Sequence, residues 1–208
     1  MKISAVIPTY NNAAFITEAI DSILAQSHPV DEIIVVDDGS SDHSEALVKA
    51  IAKKTNKLVY IKQQNQGPSS ARNRGIESAS GDWIAFLDAD DRWPADKIAL
   101  QLAALKSEPS LQLIAGDMAE TDEQGHVLIE SMLAKHQLLS QFQALKGRPL
   151  NNALTSLIEK NFIPTGTVLV KRSALHKAGC FNPDIRFGED LELWAKIACH
   201  HPITCLPQ

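Results

Sequence analysis

Short apolar runs alternate along the first half of the chain with segments whose apolar residues recur at helical spacing. The runs are rich in β-branched and aromatic residues and lack polar alternation, which is typical of strands buried on both faces. They are "ISAVI", "EIIVV", "LVYIK" and "WIAFL". Helical patterns separate them over about 15–24 and 44–54, within 65–81, and from Pro94 to about Lys106. This alternation predicts an α/β fold with a mostly parallel central sheet and helices on both faces.

The alternation is less regular after "LQLIAGDM". A hairpin is predicted around "DEQGHV", helices over about 136–146 and 151–159, and a strand at "TVLVK". No linker rich in Ser, Gly or Pro separates the two halves. We therefore expect a single domain over 1–208, with a regular half over 1–110 and a less regular half over 111–208.

Composition and charge exclude several classes of protein. The formal net charge of -5 and the scattered basic residues argue against binding nucleic acid through bulk electrostatics. Cys180, Cys199 and Cys205 form neither a CxxC pair nor a disulfide framework, which fits a reducing cytosol. The first apolar run is too short for a signal peptide and no later run reaches membrane-spanning length, so a cytoplasmic protein is predicted; peripheral contact with a membrane stays open.

Two sets of carboxylates follow two of the predicted strands. Asp37 and Asp38 come directly after the second strand, and Asp88, Asp90 and Asp91 come after the fourth. Parallel strands would bring both sets to the same edge of the sheet, where α/β proteins bind ligands. Asp is also a common turn residue after any strand, so either set alone favours a site and a plain turn about equally. Their convergence beside "PTYNN" favours a site.

The chemistry at this edge suits a nucleotide and a hard divalent cation. Carboxylate oxygens are preferred ligands of Mg2+ and Mn2+, and the segment "NQGPSSARNRG" adds helix N-terminal amides and Arg72 for a phosphate or a base. This segment alone is also compatible with an ordinary capped surface helix. Neither G-x-G-x-x-G nor G-x-x-x-x-G-K-[ST] is present, which argues against a dinucleotide dehydrogenase and a P-loop enzyme.

Five segments together resemble the family 2 glycosyltransferases, which have the A-type nucleotide-diphospho-sugar transferase fold. They occur in the family's order, from the first strand to about Trp194. They are "VIPTYNN", "VVDDGSSD", "NQGPSSARNRGI", "FLDADD" and "FGEDLELW". The resemblance implies an inverting transferase that moves a sugar from a nucleotide-diphospho-sugar, by family habit a UDP-sugar, to an acceptor hydroxyl. It also implies that 1–110 binds the donor and 111–208 the acceptor.

The resemblance also implies roles for individual residues on the donor side. Pro8, Tyr10 and Asn11 would line the nucleotide pocket. Asp38 would accept a hydrogen bond from the base, and Arg72 would lie against the base or the phosphates.

Further roles concern the metal and the chemistry. Asp88 would hold the ribose, and Asp90 would ligate a Mg2+ or Mn2+ ion bridging the donor phosphates. Asp190 would be the catalytic base, with Glu189 in support. From the residues alone, Asp190 is better explained as a helix N-cap, since the apolar face that includes Trp194 continues from it. The four upstream segments reverse that preference.

The partners implied are a nucleotide-sugar donor and a glycan, lipid-linked or other hydroxyl acceptor, as in polysaccharide or lipopolysaccharide synthesis at the inner face of the membrane. The chain ends at "ITCLPQ", within a predicted strand, and family members are usually longer, so we expect a C-terminally truncated domain. A nucleotide-sugar-binding module without catalysis, or an inactive fragment, is the alternative. A nucleotidylyltransferase is a weaker one, because "PTYNN" lacks the glycine-rich basic loop for a triphosphate.

Overall fold

The computed structural model describes residues 1–122 and 124–207, in which strands and helices alternate. The strands are β1 (Ile3–Thr9), β2 (Glu32–Asp37), β3 (Leu58–Lys62), β4 (Trp83–Phe86), β5 (Leu113–Gly116), β6 (Glu120–Thr121), β7 (Val127–Ile129), β8 (Leu169–Lys171) and β9 (Ile203–Leu206). The helices are α1 (Ile16–Leu24), α2 (Ser44–Ala52), α3 (Pro68–Ser78), α4 (Lys97–Ser107), α5 (Met132–Lys135), α6 (Leu139–Leu145), α7 (Ala153–Lys160), α8 (Arg172–Ala178) and α9 (Glu189–His200). A 3-10 turn covers Thr165–Thr167.

The central sheet has seven strands in the order β3-β2-β1-β4-β8-β5-β9. Strand β8 runs antiparallel to its neighbours β4 and β5, and every other pair is parallel. The predicted α/β fold with a mostly parallel sheet is therefore confirmed. The sequence predicted the strand at 169–171 but not its direction.

Both faces of the sheet are covered, as the unbroken apolar runs predicted. In β1, Val6 packs into a core that α3 and α6 to α9 complete, while Ala5 and Ile7 face a second core formed with α1, α2 and α4. Successive side chains of a strand point to opposite faces, so a run without polar alternation fills both cores. Trp194 is fully buried in the first core, as predicted for a residue of the apolar helix face.

Helix α3 lies unusually close to β1. A Cβ atom added at Gly75 would come within 2.3 Å of Val6 Cγ1, so only glycine fits at this contact. The close approach sets the position of Arg72, one turn earlier on the same helix.

The less regular half follows the prediction in outline. Strands β6 and β7 form the predicted hairpin, in which Glu123 lies outside the described residues, and α6 and α7 fall within or near the predicted helical ranges. Helix α4 begins at Lys97, three residues later than predicted from Pro94. None of the helices described is long and apolar enough to cross a membrane.

Candidate active site

The carboxyl ends of β1, β2 and β4 lie side by side and surround a cavity of about 460 Å³. It brings together residues that follow three different strands and the start of α3, as predicted for a parallel sheet. Its lining includes Pro8, Tyr10, Asn12, Asp38, Gly67, Arg72, Asp88 and Asp90.

Asn11 is not among the residues that line this cavity. Its Oδ1 accepts hydrogen bonds from the backbone N–H and the hydroxyl of Ser41, and its own N–H donates to Ser40 Oγ. Asn11 therefore ties the loop after β1 to the loop after β2. Its predicted contact with the nucleotide stays a prediction.

Asp38 is 3% exposed and is held by the loop that precedes α3. Its Oδ1 accepts hydrogen bonds from Gln63 Nε2 and the N–H of Gln66, and its Oδ2 accepts one from the N–H of Gly67. A carboxylate offers about four acceptor positions, so about one remains for a ligand N–H. Its neighbour Asp37 serves the fold instead, since it accepts from the Ser40 N–H and the Tyr60 hydroxyl.

Arg72 joins the two halves of the chain. Its Nη2 lies 2.8 Å from Asp88 Oδ1 and its Nη1 lies 3.1 Å from Glu189 Oε1, while its side chain is 8% exposed. Burial alone would lower the pKa of the guanidinium, but the two carboxylates outweigh it and the pKa is raised. Arg72 is thus charged, and only its Nε lacks a partner in the structure.

A larger cleft of about 680 Å³ opens beside the first cavity. Asp88, Asp90 and Asp91 lie along it together with Glu189 and Asp190, so it unites the acids that follow β4 with those that begin α9. Its further lining residues are Phe15, Arg72, Met118, Ala119, Glu120, Thr121, Asp122, Pro164, Thr165 and Gly166.

Asp190 is the second residue of α9, and Gly188, with φ +77°, precedes the helix at the N-cap. The N-cap explanation of Asp190 is therefore wrong. Its Oδ1 accepts the Leu191 N–H at 2.7 Å and its Oδ2 accepts the Thr165 hydroxyl at 3.3 Å. Burial, followed by the charge of Glu189, raises the pKa of Asp190 against the opposing effect of these hydrogen bonds. This carboxylate is suited to accept a proton.

The acids after β4 fit a divalent cation. Within 1–122 and 124–207 no group of three or more His, Cys, Asp and Glu side chains converges to enclose a metal. Burial and the charges of Asp88 and Asp90 raise the pKa of Asp91 to about 6, a repulsion that a cation would relieve. Hard carboxylate oxygens on one side leave the other positions of Mg2+ or Mn2+ to water and phosphate. The oxygen donors of Asp88, Asp90 and Asp91 are therefore of the type that Mg2+ and Mn2+ prefer.

Sequence reasoning assigned no role to Thr165 or Asp91. By the family resemblance the segment "FIPTGTVLV" would approach the acceptor, while its residues alone indicate a plain turn before a strand; the structure places its Thr165 against Asp190. The signal for Asp91 was its place beside Asp90 in the acid-rich loop.

Comparison with known proteins gives a consistent result. The chain is 36% identical over 202 residues to an uncharacterised glycosyltransferase of Rickettsia conorii, covering 97% of this chain and 31% of the relative. It thus spans about a third of that relative's length. No transferase activity follows from this likeness alone.

Solved structures of transferases share the fold. Staphylococcus aureus TarS in complex with UDP-GlcNAc superposes with a TM-score of 0.79 at 23% identity, over 100% of this chain and 56% of TarS. The mannosyltransferase PcManGT of Pyrobaculum calidifontis, in complex with GDP-Man and Mn2+, gives 0.75 at 23% identity, over 100% of this chain and 55% of PcManGT. Residues 4–177 match the family described as Glycosyl transferase family 2. The chain belongs to this family of glycosyltransferases.

Proposed function

We propose that this chain is the catalytic domain of an inverting glycosyltransferase that uses a UDP-sugar. The observation that carries the proposal is the single cleft that joins Asp88 and Asp90, after β4, to Asp190, at the start of α9. One side can bind a donor's diphosphate through a metal and the other can take a proton from an acceptor.

The donor would lie in the cavity at the ends of β1, β2 and β4. Pro8 and Tyr10 would flank the base, and Asp38 would accept an N–H of the base at its remaining acceptor position. Asp88 would bind the ribose. The Oδ1 of Asp88 accepts a hydrogen bond from Arg72 Nη2, which would keep this carboxylate in place. TarS binds UDP-GlcNAc and PcManGT binds GDP-Man, so UDP is the first nucleotide to test and GDP the second.

Asp90 would hold a Mg2+ or Mn2+ ion beside the donor. When bound, the ion stabilises the negative charge that develops on the leaving diphosphate. Asp90 is exposed at the junction of the two cavities, where it could meet both the donor phosphates and the transferred sugar.

Asp190 would accept the proton of the acceptor hydroxyl. The acceptor oxygen forms the new bond to the anomeric carbon, and the bond from that carbon to the diphosphate breaks with its electron pair leaving on the diphosphate. Attack from the side opposite the leaving group inverts the anomeric centre. Glu189 would support this step by binding Arg72 and by raising the pKa of Asp190. The acceptor, a glycan or lipid-linked hydroxyl at the cytoplasmic face of a membrane, stays a prediction from the resemblance.

Calorimetric titration of UDP with Mn2+ or with EDTA tests donor binding. We expect metal-dependent binding that is lost in Asp90→Ala and retained in Asp21→Ala, a matched control at an exposed acid of α1. If Asp90→Ala bound UDP as tightly as the unmodified chain, or if EDTA did not weaken UDP binding, the proposed metal site would be contradicted.

A nucleotide-sugar-binding module without catalysis is the second candidate, because the chain spans only 31% of the Rickettsia relative. The variant Asp190→Asn separates the two functions. For a transferase, we expect it to bind UDP normally and to lose UDP release from the UDP-sugar by about 100-fold or more. UDP binding without any sugar transfer or hydrolysis by the unmodified chain would instead support the binding module.

A further inference from the structure

A buried polar cluster lies behind the cleft. It consists of Trp93, Lys97 and Gln101, which are 6%, 8% and 1% exposed. Lys97 Nζ lies 4.2 Å from the centre of the Trp93 ring and donates to Gln101 Oε1 at 3.0 Å. The three side chains thus hold one another in fixed positions.

The N–H donors of this cluster end on the turn Thr165–Thr167. Trp93 Nε1 donates to the Gly166 carbonyl at 2.8 Å, and Gln101 Nε2 donates to the Thr167 carbonyl at 2.9 Å. These carbonyls belong to consecutive residues, so the cluster fixes both the position and the rotation of the turn. Gln101 Nε2 also donates to the Ile114 carbonyl, which ties the turn to the sheet.

The same turn faces the cleft with its other side. The Thr165 hydroxyl donates to Asp190 Oδ2, and a Cβ atom at Gly166 would lie 3.1 Å from Asp91 Oδ2. A small shift of the turn would therefore break the contact with Asp190, and beside Asp91 the turn has little room for a side chain at position 166. Among the described residues, Lys97, which is the charged member of the cluster, makes no hydrogen bond to Asp190 or Asp91.

We propose that Trp93 and Gln101 are positioning residues for the reaction: by holding the carbonyls of Gly166 and Thr167, they place the Thr165 hydroxyl on Asp190 and thereby orient this carboxylate. The inference deepens the proposed function, since it rests on Asp190 as the base. Neither residue touches the reacting atoms. Their effect passes through Thr165.

The variant Trp93→Phe removes the indole donor and keeps an aromatic ring for Lys97. We expect UDP release from the UDP-sugar to fall about 10- to 100-fold, with unchanged affinity for UDP, because misplacement of a reacting group by about 1 Å has effects of this size. Trp83→Phe is the matched control: Trp83 is 7% exposed, lies at the start of β4, and lines neither cavity of the site.

The pH profile gives a readout that a loss of packing alone would not move. The Thr165 hydrogen bond lowers the pKa of Asp190, so its loss in Trp93→Phe should shift the acid limb of the rate profile to higher pH. The charged groups facing Asp190 stay the same in both variants. Those that line the cleft with Asp190 are Glu189 on α9, Arg72 on α3, Asp88, Asp90 and Asp91 after β4, Glu120 on β6, and Asp122 just after it.

A double-mutant cycle with Thr165→Val tests the route of the effect. If Trp93 acts through Thr165, the double variant should be no slower than Thr165→Val alone. Effects that multiply, or an acid limb that does not move in Trp93→Phe, would overturn the proposal.

Hydrogen exchange separates this inference from the proposed function, because it needs no reaction. The Thr167 and Val168 N–H groups donate within the turn, to the carbonyls of Pro164 and Thr165. We expect faster exchange at both in Trp93→Phe and not in Trp83→Phe. Unchanged exchange would contradict the positioning role. Faster exchange in Trp93→Phe, together with an unmodified chain that neither transfers nor hydrolyses sugar, would refute the proposed transferase function and any effect of Trp93 on catalysis. The structural part of the inference, that Trp93 fixes the turn Thr165–Thr167, would still stand.

Discussion

Glu189 and Asp190 are adjacent carboxylates with different partners. Glu189 is bound by Arg72, whereas Asp190 receives only the Thr165 hydroxyl and the N–H of Leu191. Burial, and after it the charge of Glu189, raises the pKa of Asp190. Asp190 therefore holds a proton more readily than an isolated aspartate, which is the property of a base that must accept one.

The first prediction concerns the variant Glu189→Gln, which removes this charge and keeps an oxygen for Arg72. The rate of UDP release should rise with pH as Asp190 loses its proton. Because the pKa of Asp190 is raised from the ordinary aspartate value of 3.8, the acid limb of this profile in the unmodified chain should lie above pH 3.8. In Glu189→Gln the limb should move to lower pH. Glu192→Gln, which alters a carboxylate paired with Lys196 on the same helix, should leave it in place. A limb that moves upwards would contradict this account.

The second prediction concerns Lys97. Burial lowers the pKa of its amine to about 7, so the unfolded chain holds more protons than the folded one between about pH 7 and 10.5 and stability rises with pH over that window. We expect Lys97→Met to stabilise the fold by about 1–3 kcal/mol at pH 6, because relief of burial outweighs the unpaired Gln101 oxygen. The gain should shrink towards pH 10.5. Urea unfolding at several pH values measures the difference in unfolding free energy between Lys97→Met and the unmodified chain. A difference that grows with pH would contradict burial of the charged amine as its cause.

The sequence predicted where single acids lie better than how they are held. Asp38 and Asp88 each follow an apolar run, and parallel strands deliver such residues to one edge regardless of other contacts. The bonds from Trp93 to Gly166 and from Arg72 to Glu189 join residues 73 and 117 positions apart, and no local pattern encodes them.

At the contact between helix α3 and strand β1, packing outweighs the helix propensity of the residue at position 75. Alanine favours a helix over glycine by about 1 kcal/mol, yet at Gly75 the added methyl would collide with Val6. Packing and propensity thus oppose each other at this position.

The third prediction follows from that opposition. Gly75→Ala should destabilise the protein by about 1–3 kcal/mol despite the gain in helix propensity, because β1 is buried on both faces and cannot yield. In the background of Val6→Ala the same substitution should cost much less, since the clashing methyl group is gone. Chemical denaturation of the four chains measures both effects. A stabilising Gly75→Ala would show that the helix moves away freely.

Strand β8 marks the limit of prediction for whole elements. Its run "TVLVK" predicted a strand, but short apolar runs look alike in parallel and antiparallel strands. Its direction depends on the path of the chain through α7 and the turn Thr165–Thr167. The apolar runs alone did not predict the order of the strands in the sheet either.

Across the whole molecule, Arg72 is the charged link between the regular half and α9. Its removal would leave Asp88 and Glu189 without their cation in a partly buried site. Partial exposure of Asp88, at 32%, moderates this cost.

The fourth prediction is that Arg72→Met destabilises the fold by about 2–3 kcal/mol and abolishes UDP binding, because the ribose side of the site loses its support. Arg74→Met is the matched control, since Arg74 lies on the same helix and makes only an exposed ion pair with Glu77. Thermal unfolding and UDP titration measure the two effects. Equal behaviour of the two variants would show that the link contributes nothing.

The fold class followed from the sequence because an alternation of buried strands and helices has few stable arrangements. The place of the candidate site in the fold followed in part, through the rule that ligands bind at the carboxyl edge of such sheets. The support behind the cleft did not, because Lys97, Trp93 and Gln101 look like ordinary residues at the start of a helix until the turn Thr165–Thr167 is placed against them.

The insertion of β8 between β4 and β5 has a consequence for synthesis. A ribosome delivers the chain from its N-terminus, so β4 emerges long before residues 169–171, the strand that pairs with its free edge. Until then "WIAF" presents an apolar edge, and β5 has no sheet to join. The pairing of β8 with β4 also brings Thr165 to the acids after β4, because the turn Thr165–Thr167 leads directly into β8, while Asp190 and β9 follow later in the chain. A nascent chain would therefore assemble the cleft beside the acids after β4 only after the free edge of β4 is closed.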